Sequence, residues 1–157
     1  LDLLLKAFKN LISKNNKFRL VIIGTGKERN NLLEISRKLD ISKYIVWISY
    51  SEYVLDHMRH WNVFSLTSAY EGFGLVLLEA IYVKLPIVAM DVSSIKEIVG
   101  PCGEIVEFEN HYEFAEKVYE VTTSKKSYFS KNHIRNFSVE NNFKRHLNIY
   151  KFFTQNN

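Results

Sequence analysis

The sequence alternates between short apolar runs and segments with helical spacing, and this alternation constrains the fold more than any other feature. The apolar run Leu20–Ile23, for example, is followed by an amphipathic segment at residues 28–39. Short apolar strands that alternate with helices are typical of a parallel sheet covered by helices on both faces, so we predict an α/β fold. The predicted strands are Arg19–Ile23, Tyr44–Ile48, Val63–Leu66, Pro86–Met90 and Glu104–Phe108, and the predicted helices cover residues 2–14, 28–39, 52–60, 74–83, 94–99, 111–123 and 139–153.

Serines mark the starts of two predicted helices. Ser51 precedes the helix at 52–60 and Ser138 precedes the last helix, and each is predicted as an N-cap. The stretch 124–136 is polar and poorly periodic, and no element is predicted there. Ligands of open α/β sheets lie at the carboxyl ends of the strands, so we expect function in the loops that follow them. These loops are Gly24–Lys27, Ser49–Ser51, Thr67–Gly74 and Asp91–Ser94.

Composition limits the classes of protein to consider. The 157 residues, 46% of them hydrophobic, suffice for one compact domain. The single cysteine, Cys102, excludes an internal disulfide and a cysteine-based metal cluster. A net charge of +4 favours an anionic partner such as a nucleotide diphosphate, a nucleic acid or an acidic lipid surface, or is simply a solvated lysine-rich surface. The aromatic residues are scattered without a basic stripe, so we do not expect nucleic-acid binding.

The expected setting is cytoplasmic. The sequence contains neither a signal peptide nor an apolar run of about 18 residues, the least that a membrane span needs. Peripheral contact with an anionic membrane surface is compatible with the charge. The chain begins at Leu1, already inside a helical pattern, so we expect it to be part of a longer protein.

The most informative stretch is Ser68–Ala80, where two glutamates flank two glycines. From Gly74 onward the predicted helix is apolar almost all round, so we expect it to be buried and the Glu79 carboxylate to need hydrogen-bond donors. Gly72 and Gly74 lie at the helix N-terminus, where free N–H groups favour a phosphate. Glu79 would lie roughly 8 Å further along the axis, a separation that suits a sugar, a diphosphate and a ribose. Alternatively, Glu71 is a surface loop residue and Glu79 a buried structural acid.

These residues resemble a known family. Glu71 and Glu79, with seven residues between them, resemble the E-x7-E signature of the retaining glycosyltransferases of family 4, also called group 1. The resemblance implies a Rossmann-like domain, the C-terminal, donor-binding half of a two-domain GT-B enzyme, which transfers a sugar with retention at the anomeric carbon. The similarity covers residues 1–123 and includes Asn62–Ser68, Leu85–Asp91, Glu97–Val99 and Gly103–Val106.

The resemblance also implies roles for individual residues. Glu79 would bind the ribose hydroxyls, and Glu71, the implied catalytic residue, would contact the donor sugar near its C3 and C4 hydroxyls. The implied donor is a sugar linked to a nucleotide diphosphate, UDP or GDP, and no metal or other cofactor is implied. The remaining implied contacts are Gly72, Phe73, Gly74 and Leu75 to the sugar and distal phosphate, Gly24 and Gly26 beside the diphosphate, and Ser49, Tyr50 and Ser51 near the base.

The sequence departs from the family pattern in several places. Lys84 stands where the family has glycine, and Ser93–Ser94 stands where many members have two glycines. The arginine and lysine that neutralise the diphosphate, and the acceptor domain, would precede Leu1. We therefore expect residues 1–137 to form a truncated donor-binding domain that is inactive alone. Residues 138–157 are expected to form a helix that packs towards the N-terminal domain through Phe143, Leu147, Tyr150 and Phe153.

Two other functions fit the same residues. A sugar-nucleotide epimerase with this half-fold would bind the nucleotide but form no glycoside, and a non-catalytic module would only bind a nucleotide sugar. A metal site is not predicted, because His57 and His60 have no evident third ligand.

Overall fold

The structure is a computed structural model that describes the backbone of residues 1–155 and the side chains of residues 1–148. Its elements follow the predicted order of alternating strands and helices. The strands are β1 (Leu20–Ile23), β2 (Ile45–Ile48), β3 (Phe64–Leu66), β4 (Ile87–Met90) and β5 (Gly103–Val106). The helices are α1 (Asp2–Lys14), α2 (Arg29–Lys38), α3 (Val54–Met58), α4 (Leu75–Tyr82), α5 (Ile95–Val99), α6 (His111–Thr123), α7 (Lys131–Arg135) and α8 (Val139–Gln155), with short 3-10 turns at Ser42–Tyr44 and Gly100–Cys102.

All strand pairs are parallel, which confirms the α/β prediction, but the strands are divided between two sheets. β1 pairs with β2, and β3, β4 and β5 form a second sheet in that order. Strand β4 is the centre of the second sheet and is completely buried. Its side chains alternate between two core clusters, Val88 and Met90 in one and Ile87 and Ala89 in the other.

The two clusters place helices on both faces of the second sheet. The first contains the apolar side chains of α1 and α6, together with residues of β1 and β2. The second contains those of α4 and α5, with partly buried residues of α3 and α7 packed against it. The layered arrangement expected for a Rossmann-like domain is therefore present.

Three local predictions need correction or completion. Helix α3 begins at Val54 rather than residue 52, and its N-cap is Tyr53. The Ser51 hydroxyl instead accepts a hydrogen bond from the Tyr53 N–H, 3.1 Å away, in a local turn that competes with helix formation. The stretch 124–136, for which no element was predicted, contains α7.

The predicted cap of the last helix is confirmed. Ser138 Oγ accepts a hydrogen bond from the Asn141 N–H at 3.2 Å, directly before α8. On α8 the side chains of Val139, Phe143 and Leu147 are exposed, at 87%, 66% and 39%. The predicted contacts of Tyr150 and Phe153 lie outside the described side chains. Among the described residues, no helix is long and apolar enough to cross a membrane.

Candidate functional site

The loop between β3 and α4 carries the first part of the candidate site. Gly74 is the N-cap of α4 and has a left-handed backbone with φ of 65°. A Cβ atom there would come within 3.0 Å of Leu77 Cδ1 and 3.3 Å of Glu71 Cγ. Both the backbone conformation and the available space therefore favour glycine at this position. The half-buried Glu71 side chain thus lies directly against the N-terminus of α4.

Contacts from two other segments hold this loop. Ser94 Oγ donates a hydrogen bond to the carbonyl oxygen of Gly72 at 3.1 Å. The ring of Phe73 packs edge-to-face on Phe137, with centroids 6.2 Å apart. Phe137 is held in turn by His133, whose ring centroid lies 5.3 Å away. Phe137 was not predicted as part of the site, because it is remote in sequence and belongs to a region without clear periodicity.

The glycine-like positions that the resemblance implied are present. Lys84 follows α4 with φ of 62°, and Ser93 precedes α5 with φ of 50°. The Leu85 N–H donates to the Ala80 carbonyl at 2.9 Å, which closes the end of α4 in the manner of a Schellman motif. Lys84 and Ser93 thus adopt backbone conformations that favour glycine.

The expectation that Glu79 is a buried carboxylate is wrong. Glu79 is exposed, on the same face of α4 as Leu75 and Tyr82, which are 67% and 64% exposed. Only the opposite face, with Leu77, Ala80 and Ile81, is buried. An apolar composition all round the helix does not require burial all round, because the outer face of α4 is left uncovered by the described residues.

The loops after β1 and β2 form the second part of the site. Gly24 has φ of 136° and its N–H donates to the Ile48 carbonyl at 2.9 Å, which joins the two loops. Nothing lies within 4 Å of the place that a Cβ atom would take at Gly24 or Gly26. The backbone at both glycines is therefore open to a ligand.

The predicted base-side residues lie at the end of β2. Ser49 and Tyr50 are exposed, Tyr50 at 75%. Ser51 Oγ lies 3.0 Å from His57 Nε2, so its hydroxyl is engaged with α3 as well as with Tyr53. Ser49 Oγ accepts a hydrogen bond from Arg29 at 3.3 Å. Arg29 was not predicted as a site residue, because only the fold brings it to Ser49, twenty residues away in the sequence.

One buried hydroxyl lies at the root of the α4 loop. Thr67 directly follows β3 and is 5% exposed. Its Oγ1 has no hydrogen-bond partner among the described residues. The described side chains therefore leave this hydroxyl unpaired at the start of the loop.

The chain belongs to the group 1 glycosyltransferases. The model of the family "Glycosyl transferases group 1" matches residues 1–136, most of the sequence. The chain is 30% identical over 122 residues to the amylovoran biosynthesis glycosyltransferase AmsD of Erwinia amylovora, covering 77% of this chain and 34% of that protein. It spans about a third or less of the length of the first curated relatives it matches.

Solved structures share the fold. A mutant of TarM from Staphylococcus aureus, crystallised with UDP and alpha-GlcNAc-glycerol, superposes with a TM-score of 0.84 at 23% identity over 95% of this chain and 32% of that one. The C-terminal domain of the group 1 protein LpcC from Francisella tularensis gives a TM-score of 0.71 at 21% identity, over 85% of this chain and 75% of that one. The GT-B type of fold predicted for this chain is confirmed.

Proposed function

We propose that this chain is the donor-binding part of a retaining glycosyltransferase that uses a nucleotide diphosphate sugar, linked to UDP or GDP. The observation that carries the proposal is the arrangement at α4. Glu71 lies against Gly74 at the N-terminus of the helix, and Glu79 is exposed on the outer face of the same helix. Family membership supports sugar transfer.

The proposed roles follow from the position of each group. The first N–H groups of α4 have no partner within the helix, and no side chain caps them at Gly74 among the described contacts. They are free to bind the distal phosphate, where the helix dipole favours negative charge. The Glu71 carboxylate accepts hydrogen bonds from hydroxyls of the sugar, and that of Glu79 accepts them from the ribose.

The proposed reaction replaces one bond at the anomeric carbon. The bond to the distal phosphate oxygen breaks, and its electron pair leaves with the nucleoside diphosphate. The acceptor hydroxyl oxygen bonds to the same face of the anomeric carbon and gives its proton to the departing phosphate. The N–H groups of α4 stabilise the negative charge on the leaving phosphate, while Glu71 stabilises positive charge on the sugar ring.

The openness of the site supports a role for a further part of the protein. The glycines, Tyr50, Phe73 and Leu75 of the candidate site are exposed, apart from the buried Gly74. Ligand sites usually bury most of the surface of their ligand, so a second domain is proposed to close over this one and to supply the acceptor. The proposed location is cytoplasmic, with peripheral contact to an anionic membrane surface.

The test is Glu71→Gln in the full-length protein. Hydrogen bonds that strengthen as charge develops on the sugar lower the barrier more than they improve ground-state binding. We expect turnover of the nucleotide sugar to fall by about a hundredfold, with affinity for the free nucleoside diphosphate nearly unchanged. Product analysis by NMR distinguishes a glycoside with retained configuration from the free epimer that an epimerase would release.

A matched control is Glu34→Gln, which makes the same change at an exposed surface pair with Lys38 on α2. This control should transfer sugar at the wild-type rate. Loss of nucleotide binding by Glu71→Gln, with turnover at saturation intact, would reverse the roles proposed here.

A further inference from the structure

Arg29 is fixed at the start of α2 by the loop that follows β1. It is the first residue of the helix, and its N–H donates to the Gly26 carbonyl at 3.1 Å. The same loop is joined to the end of β2 by the bond from the Gly24 N–H to Ile48. The backbone of Arg29 is therefore set one turn beyond the open glycine loop.

The side chain of Arg29 reaches from this loop to the loop after β2. One guanidinium nitrogen donates to Ser49 Oγ at 3.3 Å, and the guanidinium carbon lies 5.8 Å from the centroid of the Trp47 ring. The residue is half-buried. Both contacts place the guanidinium at the carboxyl end of β2. The backbone of Gly24 and Gly26, in the loop after β1, is unobstructed.

The charge of Arg29 is not compensated by the described residues. A guanidinium has five N–H donors, and the bond to Ser49 is the only side-chain hydrogen bond described for it. The neighbouring Glu28 carboxylate instead accepts from the Asn31 amide at 3.0 Å. Among the described side chains, Arg29 belongs to no ion pair, so an uncompensated positive charge with further donors lies beside Ser49, one of the candidate-site residues.

We propose that Arg29 binds the diphosphate of the nucleotide donor, and that Ser49 is a positioning residue that orients its guanidinium. The inference rests on the proposed function and adds to it a cation supplied by this chain itself. The resemblance placed the phosphate-binding cations before Leu1. Of the parts of the donor, the diphosphate is the anionic one, and the planar fork of arginine matches phosphate oxygens.

The experiment measures binding of UDP and GDP, and of uridine and guanosine, by calorimetry with the full-length protein. Arg29→Gln should lower the affinity for UDP or GDP, whichever the wild type binds, about tenfold or more, the usual effect of losing charge-assisted hydrogen bonds. The affinity for the matching nucleoside should stay the same. Arg29→Lys keeps the positive charge but lacks the planar guanidinium, so it should lose less affinity than Arg29→Gln. Ser49→Ala should lose less affinity than Arg29→Lys.

The matched control is Arg37→Gln, which makes the same substitution at an exposed position near the other end of α2. It should bind the diphosphate as the wild type does. Thermal unfolding of each variant checks the fold, and Arg29→Lys and Ser49→Ala test the inference if Arg29→Gln unfolds.

Two results would overturn the inference while leaving the proposed function intact. Arg29→Gln could bind the diphosphate as tightly as the wild type, or it could lose the same factor for the nucleoside, which would place Arg29 at the base. A wild-type protein that binds neither UDP nor GDP would contradict the proposed function itself.

Discussion

The two faces of helix α4 both carry large apolar side chains but have opposite surroundings. On the inner face Leu77, Ala80 and Ile81 are at most 1% exposed and belong to the second core cluster. On the outer face Leu75 and Tyr82 are about two-thirds exposed, and Glu79 lies between them. The inner face thus stabilises the fold, whereas the described residues leave the outer face uncovered, and it is there that we propose the donor binds.

This division predicts that stability and ligand binding can be changed separately. Substitutions on the inner face should change the free energy of unfolding, and substitutions on the outer face should change binding. Substitutions of Leu77 on the inner face and Glu79 on the outer face test that separation most directly.

Leu77→Ala should destabilise the fold by about 2–5 kcal/mol, because it removes a completely buried side chain and leaves a cavity. Its matched control is Leu75→Ala, the same change on the outer face of the same helix, which should change stability by less than about 0.5 kcal/mol. Urea unfolding followed by circular dichroism measures both. Equal losses for the two variants would show that the outer face is buried in solution.

Glu79→Ala should weaken binding of the nucleoside diphosphate by about 1–3 kcal/mol, the usual loss for a charge-assisted hydrogen bond. The free energy of unfolding should change little, since the side chain is exposed and alanine favours helix. Calorimetry with UDP and GDP measures the affinity. If the variant binds as tightly as the wild type does, the ribose does not contact Glu79 on the outer face of α4.

Lys84→Gly tests how α4 ends. Because Lys84 has φ of 62°, a residue with a Cβ atom is strained there and glycine is not. The lysine also lies over the Phe129 ring at 5.2 Å, so Lys84→Ala, which loses that contact but keeps the Cβ atom, is the matched control. We expect the glycine variant to be about 1 kcal/mol more stable than the alanine variant. Equal unfolding midpoints would show that this helix end is relaxed.

The alternation of the sequence was sufficient to predict the order and class of the elements. All five strands begin and end within two residues of their predicted bounds, because short apolar runs between polar turns leave few alternatives. Helix α7 was missed because it is only five residues long and has no regular apolar spacing. The division of the strands into a two-stranded sheet of β1 and β2 and a separate three-stranded sheet was not predicted either, because periodicity identifies strands without identifying their neighbours.

The candidate site was predicted in part. The position of Glu71 and the left-handed backbone at Lys84 follow from residues adjacent in sequence and the family pattern. The exposure of Glu79 could not be predicted, because it depends on which side of α4 the other helices cover. The contacts of Phe137 with Phe73 and of Arg29 with Ser49 join residues that are distant in sequence, and only the fold brings them together.

The smallest effect is expected away from α4, at Glu104 on β5. Partial burial opposes ionisation of Glu104, but the hydrogen bonds of Lys126 and Tyr128 and the charge of Lys126 together outweigh it, so the pKa of this carboxyl is lowered. A pKa lowered in the folded state stabilises the protein above the unfolded value, about 4.3, and this contribution is lost as the pH falls through the folded value. Because Lys126 is largely exposed, the contribution should stay below about 1 kcal/mol. Glu104→Gln should flatten the acid side of the curve of unfolding free energy against pH. An unchanged curve would show that the pair of Glu104 and Lys126 does not contribute to stability.

The central claim is that the outer face and N-terminus of α4 bind the nucleotide donor. The most direct test is an amide NMR titration of the 157-residue chain with UDP and with GDP. We predict that one of them shifts the resonances of Gly72–Leu75 and Glu79, together with those of Gly24–Gly26, and leaves the buried residues Leu77 and Ile81 less affected. Shifts confined to other surfaces, or the absence of shifts with both nucleotides at millimolar concentration, would contradict the claim.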